Sequence, residues 1–134
     1  MQVRSWIGYV AVLVGCMLSV GLAHATDASV VGDTYVNSTF PSVNFGGLSN
    51  LYVGTNGTAL IQFDLSSLPA GTTASQIGKV TLRLYINRVN TPGLVTVQPV
   101  TSAWNESAVT YSTMPGLGTQ IASFTPSAAQ QPGR

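Results

Sequence analysis

The chain is predicted to be all-β, a jelly-roll-like antiparallel β-sandwich. Three observations point there. Thr, Ser, Val and Gly are the commonest residues outside the N-terminal segment, and the β-branched residues among them favour strands. Turn-forming clusters recur roughly every 8–12 residues, the spacing of sandwiches and barrels. Lys79–Arg88, KVTLRLYINR, alternates apolar and polar residues, and period-2 alternation is the signature of a strand with one core face and one wet face.

The elements follow in order. Met1–Ala25 reads as a secretory signal: Arg4 precedes a mostly apolar stretch from Ile7 to Leu22, and Ala23-His24-Ala25 forms an A-x-A cleavage site. That run of about 16 residues is short for a membrane span of roughly 20. Leu13-Val14-Gly15-Cys16 also resembles a lipoprotein box, although the residues after Cys16 stay apolar. DTYVN (Asp33–Asn37) is the first strand. Ser38–Asn50 is a loop punctuated by Pro41, Gly46 and Gly47. LYVG (Leu51–Gly54) is a second strand, and Asn56-Gly57 is a two-residue hairpin turn. It leads into TALIQFDL (Thr58–Leu65), with Ala59, Ile61, Phe63 and Leu65 on one side. Ser66–Gly78 is a long turn holding one helical turn near Ser75–Ile77. The Lys79–Arg88 strand follows, then an Asn90–Gly93 turn with Pro at its second position. LVTVQPVT (Leu94–Thr101) is a strand marked at its edge or end by Pro99. Ser102–Gly116 is mostly loop, and Ile121–Phe124 is a last short strand. The total is six or seven strands, and Thr125–Arg134 reads as an unstructured tail. Residues 26–134 form a single domain.

Composition excludes several functions. Cleavage at Ala25 would remove both Cys16 and His24. The rest of the chain then has neither a histidine-based catalytic triad nor histidine-ligated zinc. It has no disulfides, so it must rest on its apolar core. Asp27, Asp33, Asp64 and Glu106 balance Lys79, Arg83, Arg88 and Arg134, which argues against nucleic acid as a partner. With the signal removed, no membrane segment remains. Lys79, Arg83 and Arg88 nevertheless crowd into one ten-residue run.

Three segments together resemble one family. They are DTYVNSTFPSVNFGGLSNLYVG, LIQFDLSSLPAGTTASQIGKVTLRLYINRV and SAWNESAVTYSTMP. The chain is similar to the DNRLRE-type domain of exported bacterial and archaeal proteins, which overlaps the family 96 carbohydrate-binding modules, some of them alginate binders. The resemblance runs from about Asp33 to Phe124. Phe63–Pro69 and Leu82–Tyr85 are its most specific parts. The six-letter signature itself is echoed only at Leu82-Arg83 and Asn87-Arg88. The resemblance implies a jelly-roll sandwich on secreted polysaccharide-related proteins, often appended to lyases or hydrolases. It also implies further strands, so the chain is expected to be C-terminally truncated.

Lys79, Thr81, Arg83, Tyr85 and Asn87 share the polar face, with neighbours two apart separated by roughly 6.6 Å in a strand. Arginine grips a carboxylate with a planar fork. Tyrosine offers a ring to a sugar face, and asparagine both donates and accepts. Lys79, Arg83, Tyr85 and Asn87 are therefore the candidate ligand-binding residues for an acidic polysaccharide such as alginate. The competing reading is an ordinary solvated strand face. Arg88, in phase with the apolar set at the strand end, reads as structural, either leaving the core there or pairing with an acid such as Asp64. Asp33, Asp64 and Glu106 lie in separate segments and read as turn caps more readily than as a glycosidase pair. No cofactor is expected, although a structural calcium held by Asp33 and loop carbonyls near Asn44–Gly47 fits hard-cation chemistry. Trp104, Glu106 and Tyr111 form a third group, in which Trp104 either stacks on sugars or closes the core.

The chain is accordingly expected to be non-catalytic, an extracellular carbohydrate-binding module. The alternatives are a structural or adhesive surface module and a polysaccharide lyase fragment. The last would press Arg83, Tyr85 and Asn87 into catalysis, but a tyrosine base needs an enclosed, charge-activated pocket that a flat outer strand does not build.

Overall fold

A computed structural model describes residues 26–127. The signal segment, with Cys16 and the A-x-A site, and residues 128–134 of the tail lie outside the described residues. The architecture is all-β. Its strands are β1 (Val30–Asn37), β2 (Gly57–Phe63), β3 (Val95–Val97) and β4 (Ala122–Phe124), with single 3-10 turns at Ala74–Gln76 and Tyr111–Thr113. They form two antiparallel sheets, β1-β2 and β3-β4. No helix among the described residues is long and apolar enough to cross a membrane.

The register of β1 on β2 decides where the core lies. Thr34 faces Leu60, Val36 faces Thr58 and Gly32 faces Gln62. Directly opposed residues share a sheet face, so Gly32, Thr34, Val36, Leu60 and Gln62 look to one side. Val36 and Leu60 are buried there with Val109, and Val100, Trp104 and Met114 pack around them. Thr34 is buried too, its hydroxyl donating to the Tyr35 carbonyl at 3.3 Å. The opposite face carries Tyr35, whose ring stacks on Phe45 at 4.5 Å and meets Tyr52 edge-on at 6.0 Å. The register shifts between Val30 and Gly32, leaving Val31 as an inserted residue. Such a bulge bends a strand and re-aims its side chains.

Several expected elements differ. Leu51–Gly54 is not a strand. Only Gly54 pairs, with Gly57, through two reciprocal backbone hydrogen bonds of 3.1 Å. The loop residues are therefore Thr55-Asn56 rather than Asn56-Gly57. Gly57 is drawn into β2 opposite Asn37, and a Cβ on it would strike the Tyr52 ring. Leu94–Thr101 shortens to β3. The ladder ends before Pro99, which lacks an N–H to donate. It resumes as a Val100–Leu117 bridge, and the Pro99 carbonyl accepts from Gly118 N at 2.8 Å.

Lys79–Arg88, expected as a strand, is not one. No strand lies between Gln76 and Val95. The apolar residues of this segment do not pack inside: Val80 is 81% exposed, Leu82 43% and Leu84 44%, with only Ile86 half-buried. Alternation fits a residue run to a sheet surface, but a strand also requires a neighbour for its backbone groups. Among the described residues none pairs with this run.

Candidate functional site

Two surfaces carry chemistry. The first is the cationic run. Lys79, Arg83 and Tyr85 are exposed, Tyr85 to 78%. Asn87 is exposed as well, and its Nδ2 donates to Asn50 Oδ1 at 2.7 Å, tying the run to the Ser38–Asn50 loop. Among the described residues neither Lys79 nor Arg83 has a salt-bridge partner. Arg88 does not pair with Asp64. The Asp64 carboxylate instead accepts from Ser66 N at 2.8 Å and Ser66 Oγ at 2.9 Å. These bonds, the backbone one first, hold its pKa below the ordinary carboxylate value. Asp64 thus caps a turn, as its position before Ser66-Ser67 predicts.

The second surface is a cleft of about 470 Å³ lined chiefly by Gly32, Asn44, Gln62, Trp104, Asn105 and Glu106. It exists because the core-facing side of β1-β2 continues past Leu60 to Gly32 and Gln62, where the apolar packing stops. The bulged Val31 also lines it. One wall is the Trp104–Ser107 segment and the other is Asn44–Gly47. Asn44 joins the walls, its Nδ2 donating to the Glu106 carbonyl at 2.7 Å and the Val109 carbonyl at 2.6 Å. Its Oδ1 accepts from Gly46 N at 3.2 Å. Gly46 must be glycine here, because a Cβ would overlap the Glu106 backbone carbonyl. Asn105 Oδ1 fixes the second wall by accepting from Ser107 N at 2.9 Å and Ser107 Oγ at 2.7 Å.

Trp104 does close the core, packing against the Val36–Leu60–Val109 cluster, and it also lines the cleft. Tyr111 does not join it; it opens the second 3-10 turn and is exposed. Asp33 sits on exposed β1 surface, and Asp33, Asp64 and Glu106 are not brought together. Among the described residues no three His, Cys, Asp or Glu side chains form a metal-holding group. Sequence reasoning found Trp104 and Glu106, and named the carbonyls near Asn44–Gly47 only as calcium ligands; it missed Gln62 and the bridging side chain of Asn44. For Asn44 the available signal was Gly46, two residues on, where a Cβ would overlap the Glu106 carbonyl and only glycine allows so close a backbone approach; nothing in the sequence marked Gln62.

No curated protein and no solved structure matches the chain. The model of the carbohydrate-binding module family 96 matches residues 24–131. That is a binding, non-catalytic family, and the match covers both candidate surfaces. With most of its length accounted for by this match, the chain belongs to carbohydrate-binding module family 96.

Proposed function

We propose that this carbohydrate-binding module takes an acidic polysaccharide, alginate being the type case, outside the cell, and that Lys79, Arg83, Tyr85 and Asn87 make the contacts. The observation supporting this is the exposure of Lys79 and Arg83 without a salt-bridge partner among the described residues. A cation with no internal carboxylate to satisfy is available to an external one. Arg83 supplies the bidentate fork for a uronate. Lys79 adds a point charge to the same run. Tyr85, 78% exposed, offers its ring to a sugar face. The Asn50 contact orients Asn87 and leaves its Oδ1 to accept from a sugar hydroxyl. In this reading the N-terminal segment directs export, and longer relatives carry the module beside a polysaccharide-degrading domain.

Affinity electrophoresis of the full chain through gels containing alginate, pectin or neutral glucan tests the proposal. Retardation by the uronate polymers is expected. It should weaken as salt shortens the Debye length to about 10 Å at 0.1 M, and weaken again in Arg83→Ala. Equal migration in every gel would leave a structural or adhesive module in its place. Undiminished retardation of Arg83→Ala by alginate would remove Arg83 from the site.

A further inference from the structure

We infer that the cleft between Asn44–Gly47 and Trp104–Ser107 is a second sugar site, selective for a neutral pyranose over a uronate. The inference rests on the carbohydrate-binding reading but not on the cationic run. Three groups converge above Gly32: Gln62 Oε1, Glu106 Oε2 and Trp104 Cη2 each lie 3.7 Å from the point a Cβ would occupy there. The floor is bare backbone, and above it stand a carboxylate, an amide and an indole edge. That set matches a sugar ring. The carboxylate accepts from hydroxyls, the amide accepts and donates, and the indole covers a C–H face.

Charge sets the selectivity. Among the described residues, Glu106 is the only ionisable one lining the cleft, and no lysine or arginine lines it beside Glu106. A uronate would bring a second carboxylate next to Glu106 with no counter-charge, in a partly desolvated space where like charges repel more strongly than in water. A neutral sugar meets no such penalty. The walls are already fixed by the Asn44 and Asn105 hydrogen bonds, so little side-chain freedom is lost on binding. The volume lies within the range of small-ligand pockets.

The test uses the full chain with Trp6→Phe, which leaves Trp104 as the only indole. Gluco- and manno-oligosaccharides are expected to change Trp104 emission saturably, while alginate oligosaccharides leave it unchanged. Gly32→Ala fills the floor. Its methyl would make only ordinary 3.7 Å contacts, so the fold is kept while sugar affinity falls at least tenfold. Gln62→Ala should lower it similarly, and Arg83→Ala should not. Unaltered emission with neutral sugars at millimolar concentration would overturn the inference. An equal response to alginate oligosaccharides, a response to calcium chloride alone, or wild-type affinity in Gly32→Ala would also do so. Loss of the Trp104 response with alginate retardation intact removes only the cleft site. The opposite pattern removes only the cationic one.

Discussion

Asn44→Ala is the perturbation that best separates this structure from a looser one. The side chain donates to the carbonyls of Glu106 and Val109 at 2.7 and 2.6 Å and accepts from Gly46 N at 3.2 Å. The first two bonds are short and part-buried, and each is worth about 1 kcal/mol net. Truncation also leaves two carbonyls short of a donor in a partly desolvated wall. The longer third bond adds less. We therefore expect a loss of about 2–3 kcal/mol, a large share of the roughly 5–15 kcal/mol typical of a domain. With a urea slope of about 1–3 kcal/mol per molar, the midpoint should drop by about 1 M or more. Urea titration followed by Trp104 fluorescence in the Trp6→Phe chain reads this directly. Asn44→Asp supplies the sharper comparison. At neutral pH it points a carboxylate at two carbonyls and should be worse than alanine. Near pH 3 the protonated acid can donate again, and the gap between Asp and Ala should close or reverse. A midpoint for Asn44→Ala within about 0.5 kcal/mol of wild type, the range of an ordinary surface change, would refute the clamp.

Two further outcomes are expected. Gly46→Ala forces the Glu106 backbone away and should cost about 1–3 kcal/mol, as overpacking does, whereas Gly47→Ala, with open space at its Cβ position, should stay within about 0.5 kcal/mol; equal urea midpoints would sink the close approach. The depressed pKa of Asp64 means its stabilising contribution is present above the unfolded carboxylate value of about 4 and is lost as pH falls through the lower folded value. Asp64→Asn should therefore flatten the acid limb of the stability profile below about pH 4, and an unchanged limb would assign that slope elsewhere.

The all-β class was legible because strand-forming residues and turn clusters needed no tertiary knowledge. Val30–Asn37 and Gly57–Phe63 emerged within a few residues of their expected bounds, and a helical turn falls at Ala74–Gln76 beside the expected Ser75–Ile77. Pairing was less legible. Leu51–Gly54 and Lys79–Arg88 have strand-like patterns, but a pattern does not supply a neighbouring edge, and among the described residues neither run has a ladder. At the site, Trp104 was visible as a large aromatic in a polar loop, and its closure of the core followed. The cleft was not visible. It arises where Gln62, on the same face as Leu60, passes beyond the apolar packing, and periodicity carries no information about where a core ends. Asn44 was hidden for a different reason: its partners lie 62 and 65 positions away.

That separation bears on the order of folding. The β1-β2 hairpin closes between Asn37 and Gly57, a span of about 20 residues. Drawing Asn44 to Glu106 encloses about three times as much chain, an extra loop-closure cost of about 1 kcal/mol. Contacts of long range form slowly. The hairpin can thus nucleate while the wall bearing Trp104 is still diffusing, and the pocket is among the last parts of the molecule to take shape.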